Sequence, residues 1–400
     1  MNTTADLTPD TARARMVDHV RHAGFAENPA VEEALRTVPR HQFVPAATIA
    51  DAYANAAVIT KRAADGSALS CASVPTVVAM MLDQLDVHPG HTILEIGAGT
   101  GYNAALLAHL TGPTGHVTSI DIDPDVTAGA RHNLDTTGNT HVTVLTRDGT
   151  LGAPEHAPYD RIIVTVGAFD IPKTWTQQIA PDGRLVVPLR WRGQTRSLAL
   201  THHGNELRSD SARLCGFVPM IGHDTEHSTH LDPDGHVTLH WDPDQTLNPD
   251  TLHGVLATPK TEAWSGITIT GTESYDGIWL RLTGTEPGTC RLTTHPTTVH
   301  TGLCTPANPS RTPALAEHDS LAYLTHRRIN HGPQTGRYEL GATGHGTRGP
   351  ALAQRLSAAV KAWGTTRNDT PTITISPKTN RAGKPLSITK NWTYLTVNTD

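Results

Sequence analysis

The stretch Leu94-Glu95-Ile96-Gly97-Ala98-Gly99-Thr100-Gly101-Tyr102 decides how this 400-residue chain is read. It closes a short apolar run, Thr92-Ile93-Leu94-Glu95-Ile96, and opens a run with helical spacing. A strand that turns through glycines into a helix lets the backbone bend tightly and approach a ligand closely. Asp121 ends the next apolar run, Val117 to Ile120, 20 residues after Gly101. A carboxylate there can accept hydrogen bonds from both hydroxyls of a ribose.

Further apolar runs follow at Val142-Thr143-Val144-Leu145, Arg161 to Thr165 and Arg184 to Pro188, with helical segments between them. Strands apolar on both faces and alternating with helices predict a parallel sheet covered on both sides. Right-handed crossovers make it doubly wound, a Rossmann-like α/β fold. Upstream, Thr8-Pro9-Asp10 reads as the cap and first turn of a helix reaching Gly24, and a second helix is predicted over Pro29 to Val38. An irregular stretch with Tyr53 and the turn Asp65-Gly66 comes next. Val74 to Leu85 reads as a helix with Ser73 as its N-cap. The N-terminal helical segment thus spans residues 8–85.

Past residue 222 the style changes. Residues 223–260 are rich in Asp, His, Pro and Thr, and a linker is expected early in them. Strands are predicted at Val237/Leu239/Trp241, Ile267/Ile269, Ile278/Leu280/Leu282 and Ile373/Ile375. A helix is predicted from Gly349 to Trp363, with Leu352, Leu356, Ala359, Val360 and Trp363 on one face. Two domains are expected: 1–222, and a smaller mixed α/β domain over 223–400.

Composition narrows the function classes. No apolar run reaches the ~18–20 residues of a membrane span. Met1 to Pro9 lacks the basic and apolar regions of a secretory signal, so the expected compartment is the cytoplasm. The net charge of −6 argues against a broad nucleic-acid interface. The four cysteines include no CxxC pair, so no zinc ribbon or disulfide framework is expected. His223, His227 and His230 have ligand-like spacing, but a polar linker explains them and no metal is assigned. None of these features sets the oligomeric state.

The ligand follows from detail in the loop. Dinucleotide sites use GxGxxG so that a helix N-terminus holds a pyrophosphate. Here the third glycine comes one residue early and Glu95 precedes the loop. An acid there suits a cationic ligand without phosphate, and the sulfonium and α-amino groups of S-adenosylmethionine are both cationic. Asp148-Gly149 offers a carboxylate to an adenine amino group; alone, it reads equally as a turn. The expected cofactor set is Glu95, Gly97, Ala98, Gly99, Gly101, Tyr102, Asp121, Ile122, Asp148 and Gly149.

Residues 10–222 resemble the protein-L-isoaspartate O-methyltransferase family. The resemblance is carried by Val38-Pro39-Arg40-His41-Gln42-Phe43-Val44-Pro45, Ser73-Val74-Pro75-Thr76-Val77-Val78-Ala79-Met80, and the Leu94–Tyr102 loop. Arg147-Asp148-Gly149, Ala157-Pro158-Tyr159-Asp160, Gln178 through Pro188 and Gly216-Phe217-Val218-Pro219-Met220-Ile221-Gly222 continue it in order. It implies a class I methyltransferase domain using S-adenosylmethionine, with S-adenosylhomocysteine as product. It implies that Ser73 is the acceptor-side hydroxyl, that Thr165, Val166, Gly167 and Ala168 line the cleft, and that Gly216–Gly222 is a closing strand. Tyr53, Ser70 and Cys71 are assigned to the substrate side. Lys61 to Ala72 departs from the family pattern, which has a shorter glycine turn and a Thr-Ile pair, and this puts inherited specificity in question. Cys71 itself reads as a small apolar filler.

The resemblance implies methylation of an aspartyl or isoaspartyl carboxylate in a peptide or protein, followed by closure of the ester to a succinimide. A carboxyl with a pKa near ~4 is already ionised, so no general base is needed. Family members are usually little longer than the first domain. Longer members resemble enzymes that tailor aspartate in ribosomally made peptides, so peptide tailoring is the first expectation, with residues 223–400 gripping the peptide. General isoaspartate repair is the alternative, and a non-catalytic S-adenosylmethionine-binding protein the remote one.

Overall fold

The computed structural model describes residues 7–222, 226–329, 336–378 and 386–399. The chain divides into two compact units, Met1–Leu189 with Thr195–His223, and Arg190–Gln194 with Asp224–Asp400.

In the first unit, Thr92–Ile96 lies between His116–Asp121 and Tyr159–Val164, parallel to both. Thr143–Thr146 extends the sheet beyond His116–Asp121, and Ile179–Trp191 extends it beyond Tyr159–Val164, again in parallel. The chain thus winds outward on one side of Thr92–Ile96 and then crosses to the other, which makes the C-terminal end of this strand the switch point. The strands are Ile- and Val-rich because both faces are covered; Ile93, Leu94, Ile96, Ile120, Ile162 and Ile163 are all buried. Ile179–Trp191 and Gln194–His203 form a hairpin, and Glu206–Leu214 adds an antiparallel strand beside the latter. The fold is doubly wound and Rossmann-like.

Ahead of the sheet lie Pro9–His22, capped by the Thr8 side chain, then Pro29–Thr37, capped by Asn28. Met16, Val17, Val20, Val31 and Leu35 bury their apolar sides in one core with Leu82, Leu85 and Leu106. The stretch read as irregular contains a short helix, Ile49–Tyr53, and an antiparallel hairpin, Val58–Arg62 with Ala68–Ala72, whose turn holds Asp65-Gly66. Helix Pro75–Leu85 has Val74 at its N-cap with no side-chain cap bond, so Ser73 is not the cap. Gly216–Gly222 is not a strand. It makes a single bridge, Pro219 to Gly167, because the Gly167 amide donates to Val218 O at 2.7 Å and Gly167 O accepts from Met220 N at 2.9 Å.

The second unit is built on a seven-stranded antiparallel sheet in the order His227–His230, Val237–Trp241, Thr289–Thr294, Thr312–Glu317, Ser320–Arg328, Arg337–His345, Thr261–Thr270. Helix Gly349–Thr365 packs on it through Leu352, Ala353, Leu356, Val360 and Trp363. Ala359 is only partly buried beside them. Thr393–Asn398 pairs with Thr372–Pro377 and Ile388–Thr389.

Two expectations fail here. Ile278/Leu280/Leu282 belongs to helix Asp276–Thr285, where Ile278, Trp279, Leu280, Leu282 and Thr283 are all buried, so the helix is enclosed on most sides and its apolar pattern mimics alternation. His227 and His230 sit on a strand rather than in a linker. Three residues apart on a strand, they face opposite sides and cannot converge on one ion. His223 lies outside the described residues, as do residues 1–6. Among the described residues, no helix is long and apolar enough to cross a membrane.

Candidate active site

At the switch point a concave cleft opens, in part to solvent. Its floor is the Gly97–Thr100 loop. The Gly97 and Ala98 amides both donate to Ile120 O, which pulls the loop across the adjoining strand end. Gly97 has φ +106, and a Cβ there would lie 2.5 Å from Thr165 Oγ1. That hydroxyl donates to Ile96 O and Gly97 O, so the wall leaves no room for a side chain. Gly99, at φ +52, is also left-handed, and its amide donates to Asp121 Oδ2 at 3.3 Å.

Two carboxylates face this cradle. Glu95 is fully buried; Asn103 Nδ2 donates to one oxygen at 2.8 Å and Ser119 Oγ to the other at 2.5 Å. Burial pushes its pKa up to about 7, the two hydrogen bonds lower it, and nearby Asp121 raises it further. Asp121 is likewise raised, chiefly by burial. Among the described residues, no lysine, arginine or histidine lines the cleft. Two acids raised by burial beside a glycine cradle fit a cationic, compact ligand and do not fit a pyrophosphate. The residues present therefore fit S-adenosylmethionine.

Ser70, Cys71, Ala72 and Ser73 form another part of the lining with Leu69, and Val78, Met81, Ile163, Thr165, Val166, Phe217 and Val218 complete it. Burial raises the Cys71 thiol above its ordinary value, which leaves it protonated and unreactive. Of the predicted residues, Ser73, Glu95, Gly97, Ala98, Gly99, Tyr102, Asp121, Ser70, Cys71, Thr165 and Val166 line this one cleft.

The others do not. A Cβ on Gly101, at φ +83, would meet Ala130 O and Leu134, so this glycine serves helix packing. Gly149 is buried against Met220 and Ile96, and its carbonyl accepts from Trp175 Nε1. Asp148 is exposed and accepts from Thr150 N and Oγ1, the turn role already open to it. Ile122 is exposed beyond the strand end. Tyr53 is buried with its hydroxyl 2.9 Å from His41 Nδ1. Gly167 and Ala168 spend their amides on Val218 O and Pro188 O. Sequence reasoning missed Asn103, Phe217 and Val218 as lining. Asn103 follows Glu95 by 8 residues across the glycine turn, which brings its amide back onto the acid.

Among the described residues, one group has metal-ligand geometry: Asp232, Asp234 and His236 at a turn of the second unit. Asp232 already accepts from His236 N and Val237 N.

Residues 11–225 match the family model described as Protein-L-isoaspartate(D-aspartate) O-methyltransferase (PCMT). The protein-L-isoaspartate O-methyltransferase of Methanopyrus kandleri is 40% identical over 213 residues, 53% of this chain and 92% of its own length. That of Staphylothermus marinus is 37% identical over 220 residues, 53% of this chain and 95% of its own. A solved structure named protein-L-isoaspartate O-methyltransferase superposes with a TM-score of 0.51 at 17% identity, covering 96% of this chain and 99% of that one. Sequence match and cleft agree: the chain belongs to the protein-L-isoaspartate(D-aspartate) O-methyltransferase family of S-adenosylmethionine-dependent enzymes.

Proposed function

We propose that this protein methylates the free carboxylate of isoaspartyl residues in proteins or peptides, as the names of its relatives state for them. The observation that carries this reading is one cleft in which a glycine cradle, the buried Glu95 and the half-buried Asp121 adjoin Ser73, with no histidine or lysine among the described lining residues to act as a base. When bound, S-adenosylmethionine supplies an electrophilic methyl group. Glu95 and Asp121 offer it acceptors, and Gly97 and Gly99 let the backbone come close. Ser73 orients the acceptor carboxylate, while Leu69, Val78 and Met81 exclude water. An ionised acceptor needs only desolvation and alignment, so proximity and orientation account for much of the acceleration. The neutral ester then loses methanol as the next backbone nitrogen attacks it, closing a succinimide that water reopens to aspartate or isoaspartate.

Peptide tailoring was the first expectation from the chain's length. A protein named protein-L-isoaspartate O-methyltransferase shares the fold over nearly its whole length, so a second unit does not by itself mark a tailoring enzyme. That favours the isoaspartyl acceptor. The divergent Lys61–Ala72 segment lines part of the cleft and is the feature that supports a narrower substrate. Paired synthetic peptides differing only in Asp or isoAsp distinguish the two. Methylation confined to the isoaspartyl member supports repair, and methylation confined to the aspartyl member overturns it.

A further inference from the structure

Arg40 has no solvent exposure and, among the described residues, no carboxylate within ion-pair distance. Buried charges are ordinarily paired, because an isolated one costs several kcal/mol or more. Arg40 instead spends its donors on carbonyls: Nε on Ala52 O at 2.8 Å, Nη2 on Ala72 O at 3.2 Å and on Ser73 O at 2.9 Å. Nη1 has no partner. The guanidinium also lies over the Tyr102 ring, 5.1 Å from its centre. Three of these neighbours, Ala72, Ser73 and Tyr102, line the cleft, whereas Arg40 does not.

The two peptide groups held by Nη2 are those on either side of Ser73. In a trans peptide the N–H points opposite to the C=O. Drawing the carbonyls of Ala72 and Ser73 toward Arg40 therefore turns the amides of Ser73 and Val74 away from it. Neither amide has an acceptor in the protein among the described residues. A guanidinium behind a carbonyl also polarises the peptide and strengthens the N–H at its far end. Two adjacent free amides backed by a positive charge make an anion-binding wall.

The charge balance of the cleft calls for such a wall. With Glu95 and Asp121 ionised, and with one net positive charge on S-adenosylmethionine, the cleft is negative before any substrate arrives. A carboxylate acceptor would then be repelled. Arg40 restores neutrality from behind the acceptor side.

We propose that Arg40 is the positioning residue for the acceptor carboxylate, holding the Ala72–Ser73 and Ser73–Val74 peptide planes so that their amides and its own charge receive that anion. This rests on the proposed isoaspartyl acceptor. The full-length protein, S-adenosylmethionine and a synthetic isoaspartyl peptide provide the test. Arg40→Gln should leave cofactor affinity within about twofold while KM for the peptide rises and kcat/KM falls roughly 10- to 100-fold, the scale of lost charge-assisted hydrogen bonds. Arg40→Lys keeps the charge without the fork and should fall between Arg40→Gln and the parent. Added guanidinium should restore part of the kcat/KM of Arg40→Ala. The proposal is overturned if the variants change only thermal stability, with the peptide KM of the folded enzyme unchanged, or if cofactor affinity falls as much as peptide affinity. If Arg40→Gln and Arg40→Ala do not fold, an unchanged peptide KM in Arg40→Lys overturns it. If the parent enzyme leaves the isoaspartyl peptide unmodified, the acceptor reading itself has failed, which Arg40 variants alone cannot produce.

Discussion

Glu95 and its neighbours link residue chemistry to binding. In the cleft without a cation, burial raises Glu95 from its ordinary 4.5 to about 7. Its contribution to fold stability is therefore full below the ordinary carboxylate range and is lost as pH rises through about 7. A cationic ligand reverses the preference, because it favours the ionised acid and binding expels the proton. Cofactor affinity should then fall roughly tenfold per pH unit below about 7 and level off above it. Asp121, also raised by burial, acts in the same direction. Calorimetry from pH 5.5 to 8 checks this: Glu95→Gln should bind more weakly and with a flatter profile, and a flat profile in the parent would contradict it. Asp121→Ala should weaken binding by about 1.5–3 kcal/mol. The two loop glycines separate cradle from packing. Gly97→Ala drives a Cβ onto Thr165 Oγ1 and should abolish cofactor binding, whereas Gly101→Ala should cost about 1–3 kcal/mol of stability, from its positive φ and the Ala130 and Leu134 contacts, yet still bind. Denaturant melts and calorimetry on both variants read the difference. Glu95, Gly97, Gly99 and Asp121 were legible because their chemistry is local to one turn. Arg40 carries no signal of its role in the sequence, since its effect depends on backbone carbonyls from a segment 32 to 33 residues later.

Elements were legible where their period was clean. The parallel strands are short apolar runs flanked by turns, and helix Pro124–Thr136 begins with an Asp-Pro-Asp start that caps as such starts do. The hairpin Val58–Ala72 was hidden because its strands mix small, polar and charged residues and its ladder shifts register at Lys61, although the β-branched Val58-Ile59-Thr60 before Asp65-Gly66 was a usable sign. Helix Asp276–Thr285 was read as a strand because burial on most sides erases the helical stripe. The hairpin ties to function through Lys61, whose ammonium lies 2.6 Å from Asp123 and 3.0 Å from Asp125 at the start of helix Pro124–Thr136. Exposed pairs of this kind add little to stability, because solvent and salt screen them. Lys61→Met should therefore shift stability little, but it should speed cofactor dissociation and remove its dependence on salt, since the latch holds a segment that lines the cleft. Stopped-flow dissociation at low and high salt measures this, and equal rates in parent and variant would show that the hairpin needs no latch.

The first unit carries the glycine cradle with Glu95 and Asp121, and the second presents a sheet, a helix and tryptophans. Carboxylates differ too little in reactivity for the reaction itself to choose among them, so selectivity has to come from differential binding of the surroundings. Mass spectrometry of the 400-residue enzyme with S-adenosylmethionine and matched isoaspartyl and aspartyl peptides tests carboxyl methylation at the switch point most directly. The isoaspartyl peptide should gain the mass of one methylene, then lose methanol to leave a species one water lighter than the starting peptide. A methyl group that survives mild base, or one that appears only on the aspartyl peptide, would contradict it.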